Sequence, residues 1–189
     1  MLRPATVVDI PILRALIREG AVTGSFEREL ATESREATLF FSNLRQALAS
    51  GYFVEEDLRT GDLVTRAVPG FVYIPDNETT VHRPIGFGLF KAAPIGYELW
   101  LTGIDAAWRG RHHGRMMLDA LLKTTPGRTA YVARVKTYGR ESPVMAHLLL
   151  SFGYALLRET PQHTWYLRKD APEQIRDDLP LQTKSPAAS

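Results

Sequence analysis

Apolar residues recur along the first third of the chain at the spacing of two helices. After a short extended start over residues 1–8, apolar positions in Asp9–Ile17 recur every three or four residues. The same spacing returns over Glu36–Ala49, and Gly51 is a typical residue for ending such a helix. We therefore predict one strand followed by a two-helix excursion.

The middle of the chain has the pattern of short strands. Runs rich in β-branched and aromatic residues alternate with turn residues. These runs are Tyr52–Glu56, Leu63–Val68, Phe71–Ile74, Ile85–Lys91 and Tyr97–Ile104. We predict a hairpin between the second and third runs, a polar loop over residues 76–84, and the clearest strand in the last run.

Helical and strand patterns alternate in the last part of the chain. The predicted elements are a helix over Arg111–Lys123, a strand over Ala130–Val135, a helix opened by Ser142 and Pro143, and a hairpin formed by Tyr154–Arg158 and Thr164–Arg168. Ser142 is predicted as the N-cap of the second helix, with Pro143 as its first helical residue. The element order predicts a mixed α/β (α+β) fold with a central, largely antiparallel sheet flanked by helices.

Composition limits the classes of protein that this chain can represent. Its 189 residues, 44% of them hydrophobic, predict one compact domain over residues 1–169. Residues 170–189 are rich in Pro, Ser and Ala, so we expect a flexible tail. The absence of cysteine excludes disulfides and a thiol nucleophile.

Charge and hydropathy indicate location and partners. The net charge of +2 is too small to indicate a nucleic-acid-binding protein, and it suits one local anion site. Acidic residues interrupt the apolar clusters of the first thirty residues, and no later run reaches the length of a membrane span. We expect a cytoplasmic protein without a membrane partner.

The segment Asp105–Leu118, DAAWRGRHHGRMML, joins the clearest strand to a helix. It places Arg109, Arg111 and Arg115 near the helix start, where free backbone N–H groups and the helix dipole already favour an anion. The segment therefore indicates an anion site, although a solvated basic turn explains the composition equally well. Adjacent histidines at 112 and 113 have no third ligand nearby, so no metal site is predicted.

This junction resembles the signature Q/R-x-x-G-x-G/A of the GNAT superfamily of N-acetyltransferases, which follows the family's fourth strand. Here the motif reads Arg109-Gly110-Arg111-His112-His113-Gly114, with His112 in place of the first glycine. LRPATVVDIPIL, IGFGLF and SPVMAHLLLSFGY are similar to other family segments, so the resemblance covers residues 2–168. It implies a GNAT-like mixed sheet.

The resemblance also implies acetyl-CoA as the acyl donor and a set of residues that bind it. In the family the loop after the fourth strand holds the pyrophosphate, and the end of that strand pairs with the pantetheine arm. The implied cofactor-binding residues are Thr102, Gly103, Ile104, Arg109, Gly110, Arg111, His112, His113, Gly114, Arg115 and Ser142. The side chain at position 112 restricts the approach of a phosphate.

The catalytic residues are less clearly marked. Glu98 resembles the strand-borne glutamate that acts as general base in histone-modifying members, although a solvent-facing strand glutamate is an equal alternative. The family often uses a tyrosine in the closing helix to protonate the thiolate, but Leu149 stands at that place. Tyr138 and Ser142 are near enough in sequence to be substitutes, and Tyr138 is our candidate because Ser142 is already explained as an N-cap. The thiolate can also leave without a protein acid, since a thiol pKa of about 8.5 makes it a tolerable leaving group.

We predict an N-acetyltransferase that transfers an acetyl group from acetyl-CoA to a primary amine by direct attack in a ternary complex. The alternative is a CoA-binding regulatory domain with weak or lost catalysis. The acceptor is a small-molecule or peptide amine, bound between Gly20–Thr32, Arg59–Pro84 and the final hairpin. The family's frequent dimers make a homodimer compatible with this prediction, and we do not expect nucleic acid as a partner.

Overall fold

The computed structural model describes residues 1–56, 61–76 and 83–175. Within these residues the strands are β1 (Leu2–Pro4), β2 (Tyr52–Glu56), β3 (Leu63–Ala67), β4 (Gly70–Tyr73), β5 (Gly86–Ala92), β6 (Tyr97–Ile104), β7 (Ala130–Lys136), β8 (Tyr154–Glu159) and β9 (His163–Arg168). The helices are α1 (Ile10–Val22), α2 (Arg35–Ser50), α3 (His113–Leu122), α4 (Thr125–Arg128) and α5 (Ser142–Ser151). Residues 77–82 of the predicted polar loop and residues 176–189 of the predicted tail lie outside the described residues.

A seven-stranded sheet forms the centre of the molecule. Its strand order is β1-β4-β5-β6-β7-β9-β8, and each neighbouring pair is antiparallel except β6 and β7, which are parallel. The predicted mixed, largely antiparallel sheet flanked by helices is therefore confirmed. A parallel pair needs a long crossover, and α3 and α4 supply it between β6 and β7.

The predicted hairpin between the second and third middle runs is wrong. β3 pairs with β2 in a separate two-stranded sheet, with Tyr52 opposite Ala67, while β4 pairs with β1 and β5. Pro69 stands between β3 and β4 and has no N–H group to donate to a ladder. The chain therefore leaves one sheet and enters the other at this residue.

Two hydrophobic layers cover the opposite faces of the large sheet. On one face α1 and α2 pack Leu13, Ile17 and Leu44 against Phe87 and Leu89 of β5. On the other face α3 and α5 bury residues that include Met117, Leu118, Leu121 and Leu149. Glycine at position 88 allows helix α3 to lie close to β5. A Cβ atom on Gly88 would lie only 2.5 Å from Leu121 Cδ1 of α3.

A bulge in β6 changes which face its side chains meet. Leu101 lies opposite Leu89, whereas Leu99 lies opposite Phe90, so Trp100 is an extra residue in β6. Leu99 consequently packs in the α3 layer, while Leu101 packs against the α1 layer.

The start of α5 differs from the predicted cap. The helix begins at Ser142, and Glu141 takes the N-cap position, so the prediction of Ser142 as N-cap is wrong. The Ser142 hydroxyl instead donates a hydrogen bond to the carbonyl of Lys136 at the end of β7. This bond ties α5 to the strand that precedes it.

The described part of the C-terminal segment packs on the domain. Ile175 is buried against Val132 and Leu167. Among the described residues, no helix has both the length and the apolar composition required to cross a membrane.

Candidate active site

The main cleft opens where β6 and β7 part. Their parallel register joins Tyr97 to Ala130, Glu98 to Val132 and Leu99 to Ala133, and it ends there although both strands continue. The cleft has a volume of about 1070 Å³. Thr102, Gly103 and Ile104 line one side, and Ala133, Arg134, Val135 and Lys136 line the other.

The predicted anion loop forms one end of this cleft. After a short turn over Ala106–Trp108, Gly110 adopts a φ of 73° and His112 a φ of 64°, and α3 begins at His113. His112 therefore occupies the left-handed region, which histidine tolerates better than most side chains. As at the start of any helix, the first backbone N–H groups of α3 lack an intrahelical acceptor, and no side chain among the described residues caps them at the edge of the cleft.

Arg109 braces this end of the cleft. Its guanidinium lies 2.6 Å from Glu19 Oε1 on α1 and 3.3 Å from Glu141 Oε1 at the start of α5. It also donates hydrogen bonds to the carbonyl of Ile104 at the end of β6. Two carboxylates thus neutralise Arg109, and the residue joins three elements around the cleft.

The other charged residues of the motif take different positions. Arg115 lines the cleft, and its guanidinium lies 5.4 Å from the centre of the Phe152 ring. Arg111 lies over Trp108 at 5.8 Å and is not among the residues lining the cleft. His113 packs edge-on against Trp108 with ring centres 5.2 Å apart, also outside the cleft lining. The segment Asp105–Leu118 therefore supplies Arg115, directly after the motif, as its cleft-facing cation beside the braced Arg109.

The structure brings most of the predicted cofactor-binding residues into one cleft. Those that line it are Thr102, Gly103, Ile104, Arg109, Gly110, His112, Gly114, Arg115 and Ser142. Within the described residues, no group of three or more His, Cys, Asp or Glu side chains is arranged to hold a metal ion.

The two predicted catalytic residues lie outside the cleft lining. Glu98 is buried, with its carboxylate 3.5 Å from Arg134 Nε and 3.9 Å from Lys91 Nζ. Tyr138 is 86% exposed and borders a separate shallow groove that also includes Gln162. Arg134 lines the cleft, so Glu98 meets the cleft through this arginine.

His163 lines the cleft, although no sequence pattern predicted it there. It lies opposite Lys136 in the β7–β9 register, and its Nε2 is 3.6 Å from Glu27 Oε1. Burial, and then the charges of Arg134 and Lys136, lower the pKa of His163 to about 4 against the opposing effect of Glu27. The imidazole is therefore neutral at pH 7, and as a base it is only about as strong as an ordinary carboxylate. No sequence spacing marks this residue, because strand pairing alone brings it beside β7.

Residues of the predicted acceptor segments form the other end of the cleft. Phe26, Glu27, Glu29 and Leu30 come from the segment between α1 and α2, and Phe40 comes from α2. The other predicted acceptor segment before the final hairpin is Arg59–Pro84. Residues 57–60 and 77–82, which precede this segment or belong to it, lie outside the described residues. Phe26, Leu30 and Phe40 belong to the layer on the α1–α2 face of the sheet, whereas α3 lies on the other face, so the cleft has an aromatic end and a basic end.

Comparison with known proteins places this arrangement among acetyltransferase structures. No protein-family model matches the chain, and no curated protein matches its sequence. An acetyltransferase from Thermus thermophilus matches at a TM-score of 0.56 with 19% identity, covering 89% of this chain and 95% of the other. PaiA N-acetyltransferase from Thermoplasma acidophilum, in complex with coenzyme A, also matches at 0.56, with 14% identity and coverage of 89% and 98%.

A third structure extends the comparison to an acetyl-CoA complex. The GNAT superfamily phosphinothricin acetyltransferase of Sinorhizobium meliloti matches at a TM-score of 0.53 with 18% identity. The match covers 89% of this chain and 86% of the other. The described chain has the fold of the GNAT superfamily of acetyltransferases.

Proposed function

We propose that this protein is an acyl-CoA-dependent N-acetyltransferase that transfers an acetyl group from acetyl-CoA to a primary amine. The observation that carries the proposal is the opening between β6 and β7, which ends at the uncapped start of α3. The fold supports acyl transfer, and two of the similar structures hold CoA or acetyl-CoA. The chain has no cysteine, so direct attack in a ternary complex is the simplest route.

The basic end of the cleft fits the phosphates of CoA. The first N–H groups of α3 and the Arg115 guanidinium present donors and positive charge to an anion. Beyond Leu99, β6 has backbone groups on its β7 side that no β7 partner takes up. We assign Thr102, Gly103 and Ile104 to the pantetheine arm, because an extended amide chain can pair with such a strand edge.

The reaction forms one C–N bond and breaks one C–S bond. The neutral amine nitrogen attacks the thioester carbonyl carbon, the nitrogen loses a proton, and the CoA thiolate leaves and takes up a proton. We assign the acceptance of the amine proton to His163, a neutral imidazole on the cleft wall. The roles of Glu98 as general base and Tyr138 as general acid stay predictions outside this proposal, because neither side chain lines the cleft.

A CoA-binding regulatory domain without efficient turnover is the second candidate function. The positions of Glu98 and Tyr138 favour it, because Glu98 lies between two cations and Tyr138 faces solvent. This candidate retains the basic end of the cleft and assigns no catalytic role to His163.

Isothermal calorimetry with acetyl-CoA and CoA tests the proposal. We expect one-to-one binding by the wild type and at least tenfold weaker binding by Arg115→Glu, because the charge reversal stands at the anion site. Arg45→Glu on the exposed side of α2 is the matched control and keeps wild-type affinity. Absence of binding by the wild type contradicts both candidates, whereas binding without turnover of any amine favours the second.

A further inference from the structure

The end of the cleft opposite α3 is walled by large apolar side chains. We call it the aromatic chamber and define it by Leu16, Phe26, Leu30, Phe40 and Trp100, which all line the main cleft. These residues come from α1, the segment after it, α2 and β6. The basic end has arginines and glycines of the α3 junction in its lining, beside apolar residues of α3 and α5 such as Met117 and Leu148. The two ends therefore suit different chemical groups.

The aromatic chamber adjoins the part of β6 where the acetyl group is expected. Trp100 belongs to β6 and lines the chamber directly. The Phe26 ring lies 6.4 Å from that of Phe87, which is paired with Gly103 of β6. When the amino group of an acceptor attacks beside this stretch of β6, the rest of the acceptor molecule consequently lies against the chamber walls.

Packing fixes the rings of the chamber from behind. The Trp100 ring lies 5.2 Å from Phe53 in an edge-on contact and 5.9 Å from Phe40. Phe26 packs on Gly20, where a Cβ atom would lie only 2.4 Å from the ring. Preorganised aromatic walls bind an apolar group without first having to order themselves.

Two carboxylates line the cleft at the same end. Glu36 stands one helical turn before Phe40 on α2, and Glu29 directly precedes Leu30. Both are exposed, and within the described residues neither carboxylate forms an ion pair or a hydrogen bond. Their negative potential draws a cationic amine into the cleft, and it disfavours an acceptor whose body brings a carboxylate to this end.

We propose that the acceptor is a small primary amine carried on an apolar, ring-bearing body and lacking a carboxylate. The ring occupies the aromatic chamber, and the amine points along β6 toward the thioester. This inference rests on the proposed acetyltransferase function and names its substrate class. A polar acceptor lacks the apolar surface that the chamber walls are suited to bury, and burial of its polar groups there is unfavourable.

Steady-state kinetics with acetyl-CoA and a matched set of amines test the proposal. CoA release is measured with 2-phenylethylamine, ethylamine, glycine and spermidine. We expect kcat/KM for 2-phenylethylamine to exceed that for ethylamine by about 100-fold, because a buried ring adds several buried carbons. Glycine should be poorer still, since it carries a carboxylate, and spermidine, which like ethylamine has no apolar ring, should also fall well below 2-phenylethylamine.

Substitutions in the chamber provide the second arm of the test. The Trp100→Ala variant should have a KM for 2-phenylethylamine about tenfold higher than the wild type and an unchanged KM for acetyl-CoA. The Trp100→Phe variant should have a KM for 2-phenylethylamine close to that of the wild type. Because Trp100 also packs on Phe53, the surface variant Glu36→Lys is an independent measurement. It should raise KM for the amine about fivefold, whereas the matched reversal Glu159→Lys on β8 should not.

The outcomes separate this inference from the function on which it rests. Equal or better use of ethylamine, glycine or spermidine, or equal effects of Glu36→Lys and Glu159→Lys, overturns the aromatic-amine assignment and leaves the acetyltransferase intact. A lack of CoA release with every amine refutes the proposed function itself. Preference for 2-phenylethylamine that Trp100→Ala reduces supports both.

Discussion

The two ends of the cleft select by different physical means. At the basic end, backbone N–H groups and an arginine present charge and hydrogen-bond donors. At the aromatic end, Phe26, Phe40 and Trp100 present rigid apolar walls with carboxylates beside them. One end therefore recognises charge, and the other recognises shape.

This difference implies that the two binding events can be altered separately. The proposed cofactor contacts depend on the geometry of the β6–α3 junction, while the acceptor contacts depend on the packing of α1 and α2 against β6. The residues between these ends, including His163 on the far wall, determine whether the two bound groups react.

The largest expected effect comes from His163, which serves catalysis rather than binding at either end. His163→Gln should lower kcat about 100-fold, as expected for loss of a positioned proton acceptor, with little change in CoA affinity. Initial rates with acetyl-CoA and calorimetry with CoA measure the two quantities. Gln162→Ala, the neighbouring exposed residue, is the control, and an unchanged kcat in His163→Gln contradicts the assignment.

The same variant should change how stability depends on pH. The folded pKa of His163 is about 4 and the unfolded value about 6.5, so between them the unfolded chain binds a proton that the folded chain does not. The contribution of the neutral His163 to the free energy of unfolding is therefore fully present above pH 6.5. It declines as pH falls, by about 2 kcal/mol from pH 7 to pH 5. Urea unfolding of His163→Gln should lack this part of the decline.

Arg109→Met should destabilise the basic end. The substitution leaves Glu19 and Glu141 without their shared cation and removes the hydrogen bonds to Ile104. We expect a loss of about 2 kcal/mol in the free energy of unfolding, measured by urea titration. Arg111→Met is the control, since Arg111 contacts the Trp108 ring, and a loss as large as that of Arg109→Met argues against the brace.

The smallest expected effect is at His112. Glycine at this position removes a Cβ atom from a residue with a φ of 64° beside the α3 N–H groups. We expect His112→Gly to tighten CoA binding about threefold, because the anion can approach the backbone more closely. His112→Val should destabilise the fold by about 1–2 kcal/mol, since a β-branched residue is strained at positive φ. Equal behaviour of the two variants contradicts this explanation.

The sequence predicted the basic end far better than the aromatic end, for a physical reason. The basic end is built from contiguous residues, Arg109 to Arg115, so local spacing and the family motif identify it. The chamber combines residues 16–40 with the distant Trp100 of β6, and His163 reaches the cleft only through the β7–β9 register. Such long-range pairing leaves no local periodicity.

Local sequence patterns did not predict the pairing partner of β3, which lies between β2 and β4 in the chain. Most strand and helix boundaries followed from periodicity and turn residues, including β2 and β6, whose ranges match the prediction. The choice of β2 over β4 as the partner of β3 depends on tertiary contacts that no local pattern encodes. Likewise, Ser142 had a suitable side chain for an N-cap but donates to β7 instead.

The extra residue at Trp100 gives β6 a place where it can lose a residue. Without Trp100, Leu99 and Leu101 would be neighbours opposite Phe90 and Leu89, and both would keep their present faces, because the side-chain period of a strand is two. A deletion in β5, which carries no such extra residue, would instead turn the side chains beyond it to the opposite face. A deletion scan should therefore recover more folded protein after loss of Trp100 than after loss of a β5 residue, although the Trp100 deletion removes one wall of the aromatic chamber.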